Sequence, residues 1–256
     1  MAAMIHIPTA PWAHLVFDLI AWAAGIGMGL LLYRWRLRAM TIEVARKVSG
    51  GYFAALAGGA ALGAWLSGSL NTLRSPVPEF SHSIAGALVG GIVAVEIYKA
   101  VRGIKGSTGT VFVGSFATGV VIGRFGCLFA GLPDLTFGLP TTLPWAVDLG
   151  DGVPRHPVQL YESGAMAVFL AIYLVALGRR DVWAVRNGFH VMCVWYGAQR
   201  FLWEFLKPYP ELIGPFNVFH ILCLGLVIYG SVHIVNDWRG ARSGAILVSG
   251  PDHEPV

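Results

Sequence analysis

From Val48 to Leu73, and again from Leu212 to Asn236, the chain carries no Asp, Glu, Lys or Arg. A run of about 20 apolar residues is long enough to cross a bilayer as a helix, since the hydrocarbon core is about 30 Å thick. Lipid offers no partner for backbone N–H and C=O groups, so such a run closes its hydrogen bonds internally. Five further segments share this character. The sequence therefore predicts an all-α, polytopic membrane protein with seven spans, at roughly 12–33, 51–72, 82–101, 109–130, 158–178, 187–206 and 215–235. The sixth is the least apolar, because only 13 residues separate Arg186 from Arg200. It should face a polar interior at its far end.

Charge sets the expected orientation. The residues are 55% hydrophobic and 12% charged, against roughly 25% charged in ordinary soluble domains. A formal charge of +4 could suggest nucleic acid, but the basic residues punctuate apolar segments and form no single patch. Arg34, Arg36, Arg38, Arg46 and Lys47 follow the first span, and Lys99, Arg102 and Lys105 the third. Arg179, Arg180 and Arg186 separate the fifth and sixth, while Arg239 and Arg242 follow the seventh. These make 13 of the 18 Lys and Arg, all on one side of a seven-span chain. The preference of such residues for cytoplasmic loops puts the amino terminus outside and the carboxyl terminus in the cytoplasm. No Lys or Arg precedes Arg34, so no basic leader region is expected.

One membrane domain over residues 1–239 and a flexible cytoplasmic tail over 240–256 complete this organisation. The segment 132–157 holds Pro133, Gly138, Pro140, Pro144, Gly150, Gly152, Pro154 and Pro157. That composition predicts a small, turn-rich outer cap between the fourth and fifth spans. Gly25-x-x-x-Gly29, Gly59-x-x-x-Gly63 and Gly86-x-x-x-Gly90 predict close helix packing within the molecule. Cys127, Cys193 and Cys223 show neither a metal-ligand spacing nor a disulfide framework, and read as small buried side chains.

Three polar stretches interrupt the apolar pattern: Gly-Arg-Phe-Gly at 123–126, Arg-His-Pro-Val-Gln-Leu-Tyr-Glu at 155–162, and Tyr-Gly-Ala-Gln-Arg-Phe-Leu-Trp-Glu at 196–204. An arginine at membrane depth costs about 2.5–3.5 kcal/mol on insertion scales, so it needs a partner or a function. All three stretches fall toward the outer ends of their spans. Arg200 and Glu204 are four residues apart and can pair on one helix face. Converging arginines would suit the phosphate of a lipid headgroup, which a guanidinium binds through paired hydrogen bonds. The same spacing equally allows Arg124, Glu162, Arg200 and Glu204 to neutralise one another between helices.

Taken in order from about Ser83 to the seventh span, these motifs resemble those of the prolipoprotein diacylglyceryl transferases. The resemblance implies transfer of a diacylglyceryl group from phosphatidylglycerol, or another anionic phospholipid, to the lipobox cysteine of a preprolipoprotein. Glycerol phosphate would leave. It further implies a bacterial cytoplasmic (inner) membrane location, no metal, no organic cofactor and no nucleic-acid partner. By position, Arg124 would bind the headgroup with Gly123 and Gly126 of its motif. Arg200 would stabilise the departing phosphate beside Tyr196. Arg155, His156, Gln159, Tyr161, Glu162 and Glu204 would complete the substrate site.

The acceptor half departs from the family pattern. Cys127 and Ala130 stand where the family has asparagines, Leu132 where it has glutamate, and Ala85-Gly86-Ala87 where it has His-Gly-Gly. Asp18 falls near a helix-1 tyrosine of the family, and His220 near a glutamine. His82, one turn before Ala85, would act as a displaced catalytic base, with His156 and His220 as alternatives. Asp134 could partly replace the missing glutamate. A related transferase with another acceptor, or a non-catalytic lipid binder of the same fold, would also fit these departures.

Overall fold

A computed structural model describes residues 4–73 and 81–248, with side chains to residue 240. The architecture is all-helical and polytopic. Helix α1 (Ala13–Leu32) passes through a π-helical turn (Tyr33–Leu37) into α2 (Arg38–Lys47), and α3 (Gly50–Thr72) and α4 (Ile84–Arg102) follow. A 3-10 turn (Thr110–Phe112) leads into α5 (Val113–Ala130), then come α6 (Val158–Gly178), α7 (Val182–Glu204) and α8 (Val218–Val248). The sequence treated residues 34–47 as a basic connection; they form helix instead. Helix α8 runs on past Gly240 to Val248. Residues 249–256 lie outside the described residues.

Among the described residues, six helical stretches are long and apolar enough to cross a membrane. The exception among the long helices is α7, which is the span expected to be the least apolar. Its composition follows from its position, since Asn187, His190, Tyr196, Gln199, Arg200 and Glu204 are all buried. By contrast α1 exposes Leu15, Leu19, Trp22, Ile26 and Leu30 along one stripe, each at least 55% exposed. A contiguous apolar stripe of this kind marks contact with lipid or with another protein.

Three helix pairs form the frame: α3 with α4, α1 with α5, and α7 with α8. Helix α5 is central, with 56% of its apolar window buried, against 11–33% for the other five. Backbone contact explains the tight α3–α4 pair. A Cβ added at Gly63 would run into the Gly86 carbonyl, one at Gly86 into the Gly63 carbonyl, and one at Gly90 into the Gly59 carbonyl. On α1, the same test at Gly25 and Gly29 meets Ser115 of α5. All three glycine patterns therefore serve packing inside the chain.

Residues 131–157 connect α5 to α6 through a 3-10 turn (Leu132–Asp134) and strand β2 (Val147–Asp148). Strand β1 (Ile5–His6) pairs with β2 in parallel, which ties the amino-terminal segment to this connection. Asp148 anchors it. Its carboxylate accepts from the backbone N–H groups of Gly150 and Gly152, each at 2.9 Å, and lies 3.1 Å from His6 Nδ1. The Gly150 N–H, then the His6 ring, hold the Asp148 pKa below the usual carboxylate value.

Candidate functional site

At the end of the bundle nearest this connection, five charged side chains meet in a closed polar core. Glu162, from the first turns of α6, is the hub and is fully buried. Its Oε2 lies 2.6 Å from Arg124 Nε of α5 and accepts from Arg200 Nη1 of α7 at 2.9 Å. Its Oε1 accepts from Lys207 Nζ at 2.5 Å. Glu204 Oε1 lies 2.9 Å from Arg200 Nη2 and accepts from Lys207 Nζ at 3.1 Å. Three cations against two carboxylates give a formal charge of +1. The pairing anticipated between Arg124, Glu162, Arg200 and Glu204 is thus present. Lys207 completes it and was not anticipated from sequence; its position three residues after Glu204 was the available signal.

Charges taken out of water cost several kcal/mol each unless paired and hydrogen-bonded. The pairing here is not complete. Tyr196 Oη, Gln199 Nε2, Arg200 Nε and Trp203 Nε1 are buried without a hydrogen-bond partner. They stand at positions i, i+3, i+4 and i+7, hence on one face of α7. Arg124 Nε is close to Glu162, but its N–H is not aligned for a hydrogen bond. Glu204 Oε2, Gln199 Oε1 and Gln159 Oε1 are acceptors left without a donor. Unpaired donors therefore dominate around a core of net positive charge.

The remaining expected site residues divide. Gln159 is buried and donates weakly to Thr136 Oγ1 at 3.5 Å. Gly126 is set by packing, since a Cβ there would meet Phe17. Tyr161 joins a separate group: its hydroxyl accepts from Trp145 Nε1 at 2.8 Å and lies 3.4 Å from His156 Nδ1. Arg155 pairs with Asp151 at 2.8 Å and covers the Phe137 ring, away from the ion network. His220 is held in place by Asn217, whose backbone N–H donates to its Nδ1 at 3.1 Å. An imidazole bonded in this way and walled by the Phe201, Phe205 and Phe216 rings stabilises the start of α8.

Beside the core lies a cavity of about 880 Å3 between the α1–α5 pair and the α3–α4 hairpin. Its walls are mostly apolar, and Trp22, Ile26 and Ile84 at its rim are exposed. The cavity therefore reaches the apolar flank of the molecule between α1 and α4. Gly123 lines it, which brings the cavity wall to the residue before Arg124. His14, Asp18 and His82 line the same end. His14 Nδ1 is 2.7 Å from Asp134 Oδ1 and its Nε2 is 3.5 Å from Asp18 Oδ2. The sequence singled out His82 but not His14, because nothing local marks a histidine whose partner lies 120 residues away.

An apolar cavity open to the flank and a buried cationic core at one end match an amphiphile with an anionic headgroup. The sequence profile of the prolipoprotein diacylglyceryl transferases matches residues 18–236. The chain belongs to that family. Among curated relatives, the phosphatidylglycerol–prolipoprotein diacylglyceryl transferase of Cupriavidus metallidurans is 30% identical over 180 residues, covering 65% of this chain and 64% of that protein. The enzyme of the same name from Nitratidesulfovibrio vulgaris is 35% identical over 172 residues, covering 63% and 62%. That of Methylococcus capsulatus is 34% identical over 165 residues, covering 60% of each. The matched stretch thus spans less than two thirds of these relatives. No solved structure matches the chain.

Proposed function

We propose that this family member transfers a diacylglyceryl group from phosphatidylglycerol to the lipobox cysteine of a prolipoprotein, in the bacterial cytoplasmic membrane. The observation that carries the proposal is the positive ion network with its unpaired α7 donors, buried directly behind the Gly123 wall of an apolar, flank-opening cavity. The relatives' names supply the two substrates. In this reading the chain spans the membrane seven times, α7 included, with its amino terminus outside and residues 132–157 as an outer cap.

The lipid enters between α1 and α4 and lays its acyl chains along the apolar walls. Its phosphate reaches the Arg124 and Arg200 side, where Tyr196, Gln199 and Trp203 supply further donors. Cleavage of the glyceryl carbon–oxygen bond leaves negative charge on glycerol phosphate, and preorganised cations stabilise that charge as it develops. The acceptor sulfur approaches from the end lined by His14 and His82 and gives up its proton there.

Mass spectrometry of a lipobox peptide incubated with the purified protein and phosphatidylglycerol tests this. The expected result is a mass gain of one diacylglyceryl group, lost in Arg200→Ala. Lipid consumption with no gain on the peptide would favour a second reading, a different acceptor. The observation behind that reading is the loss of the family's acceptor-side residues at Ala85, Cys127 and Leu132.

A further inference from the structure

At the far end of the bundle from the ion network, the last turn of α6 meets the π-helical turn that follows α1. Leu177, in that last turn, is fifteen residues beyond Glu162, or about 22 Å along the helix axis. The two turns enclose a cleft of about 340 Å3 lined by Trp35, Arg36, Leu177, Arg180, Val182 and Val185. We infer that this cleft binds the phosphate of an anionic phospholipid. The site does not depend on the function proposed above; only its assignment to the cytoplasmic leaflet follows the topology given there.

The π-helical turn has a packing cause. Leu32 and Leu37 are both 1% exposed, yet residues five apart in an α-helix point about 140° away from each other. The wider turn over Tyr33–Leu37 lets both face the bundle. It also sets Arg36 against the end of α6, where its Nε donates to the Leu177 carbonyl at 3.1 Å. That carbonyl is one of those a helix end leaves without an intrahelical partner. The Arg36 guanidinium stands 5.0 Å from the centre of the Trp35 ring. These two contacts orient the fork and use one of its three nitrogens. Among the described residues, no acidic side chain pairs with it.

Arg180 forms the other cationic wall. Its φ is +58°, in the left-handed region, just past the end of α6. Glycine is the usual residue at such a helix end, because it alone takes that conformation without strain. Strain of this kind persists where the side chain has a use. Arg180 has no ion-pair partner among the described residues, and its side chain lines the cleft. Asp181 follows it in sequence but is engaged elsewhere. Its Oδ1 accepts from the backbone N–H groups of Trp183 and Ala184, at 2.9 and 3.1 Å, and caps α7.

The lining decides the class of ligand. Two guanidinium groups beside Leu177, Val182 and Val185 make a cleft that is part cationic and part apolar. Guanidinium forks suit phosphate oxygens. The apolar wall suits the glycerol and first methylenes of a lipid, for which a free anion has no use. A zwitterionic headgroup would bring its own cation toward the arginines, so an anionic lipid is preferred. Basic pockets between helices hold such headgroups. Depth agrees with this. Trp35 and Trp183 are 42% and 48% exposed, and tryptophan gathers at the level of the headgroups. Val182 is 78% exposed. Arg34, Arg38 and Arg179 are exposed around the cleft and add to its attraction for anions.

Native mass spectrometry of the full-length protein in detergent tests the site, with phosphatidic acid, phosphatidylcholine and inorganic phosphate as separate probes. The ion network also receives an anionic lipid in the reading above, so proteins are compared as well as probes. Wild type is expected to retain one more phosphatidic acid than the Arg36→Gln/Arg180→Gly double variant. Each arginine removed should weaken that binding about fivefold. Arg180→Gly alone is the discriminating variant. Glycine relieves the left-handed strain, so the lipid-free protein should unfold at the same temperature as wild type or higher. The rise in unfolding temperature given by phosphatidic acid should nevertheless shrink. Arg46→Gln, an exposed basic position outside the cleft, should leave both readouts unchanged. An Arg180→Gly protein with the full lipid count and the full lipid-dependent rise overturns the site. Equal losses in Arg46→Gln overturn it too, since general charge attraction would then account for the binding. Equal retention of phosphatidylcholine overturns the preference for an anionic lipid. Inorganic phosphate that stabilises wild type as well as phosphatidic acid does, at the same concentration, overturns the lipid as the ligand.

Discussion

Glu162 shows how one residue decides the electrostatics of a buried site. It holds Arg124, Arg200 and Lys207 together, and all four side chains are at most 4% exposed. Removing one partner from a buried ionic network leaves an uncompensated charge and costs about 3–5 kcal/mol. Glu162→Gln is therefore expected to destabilise the protein by about that amount, read as a lowered unfolding temperature in detergent. An unchanged unfolding temperature would mean that the three cations find other partners. The Arg200–Glu204 pair was legible because residues four apart share a helix face. The link from Arg124 to Glu162 was not, because it depends on how α5 meets α6. The cysteine reading divides in the same way: Cys127 is buried as expected, yet its position between His14 and Asp134 follows from no spacing in the chain.

At the level of elements, the α3–α4 pair depends on glycines that bring two backbones into contact. Gly63→Val would push its new Cβ against the Gly86 carbonyl and the Gly90 Cα. Overpacking of this kind costs about 1–3 kcal/mol, so a lower unfolding midpoint is expected. Gly58→Ala is the control, since a Cβ there meets nothing within 4 Å. Equal effects of the two substitutions would show that helix propensity, rather than the interface, sets the outcome. Helix α7 carries a related lesson. Its sequence is the least lipid-like of the spans because its polar face is turned inward, which its low apolarity already indicated. The helix boundaries were close to the expected ones wherever apolar runs end in Gly, Pro or charge, as at Val158–Gly178. Helix also continues beyond the apolar runs at residues 34–47 and after Gly240, where basic residues extend it past the point at which hydropathy alone would end it.

For the whole molecule, the proposed function turns on the cavity between the α1–α5 pair and the α3–α4 hairpin. Gly119 lines it, and a Cβ added there would meet no atom within 4 Å. Gly119→Phe should direct its ring into the cavity and fill part of the lipid's space. The expected result is a roughly tenfold higher KM for phosphatidylglycerol, equivalent to about 1.4 kcal/mol of lost binding, with an unchanged unfolding temperature. An unaltered KM would place the lipid elsewhere. The sequence by itself determined the all-helical, membrane-spanning character, because lipid forces uncharged runs to satisfy their own backbone. It also determined the family, because that depends on side chains in a fixed order. The tertiary structure alone decided where the cavity lies, that Lys207 joins the ion network, and that His14, Cys127 and Asp134 meet. These depend on which helix faces pack together, and residues over a hundred positions apart leave no local trace of being neighbours.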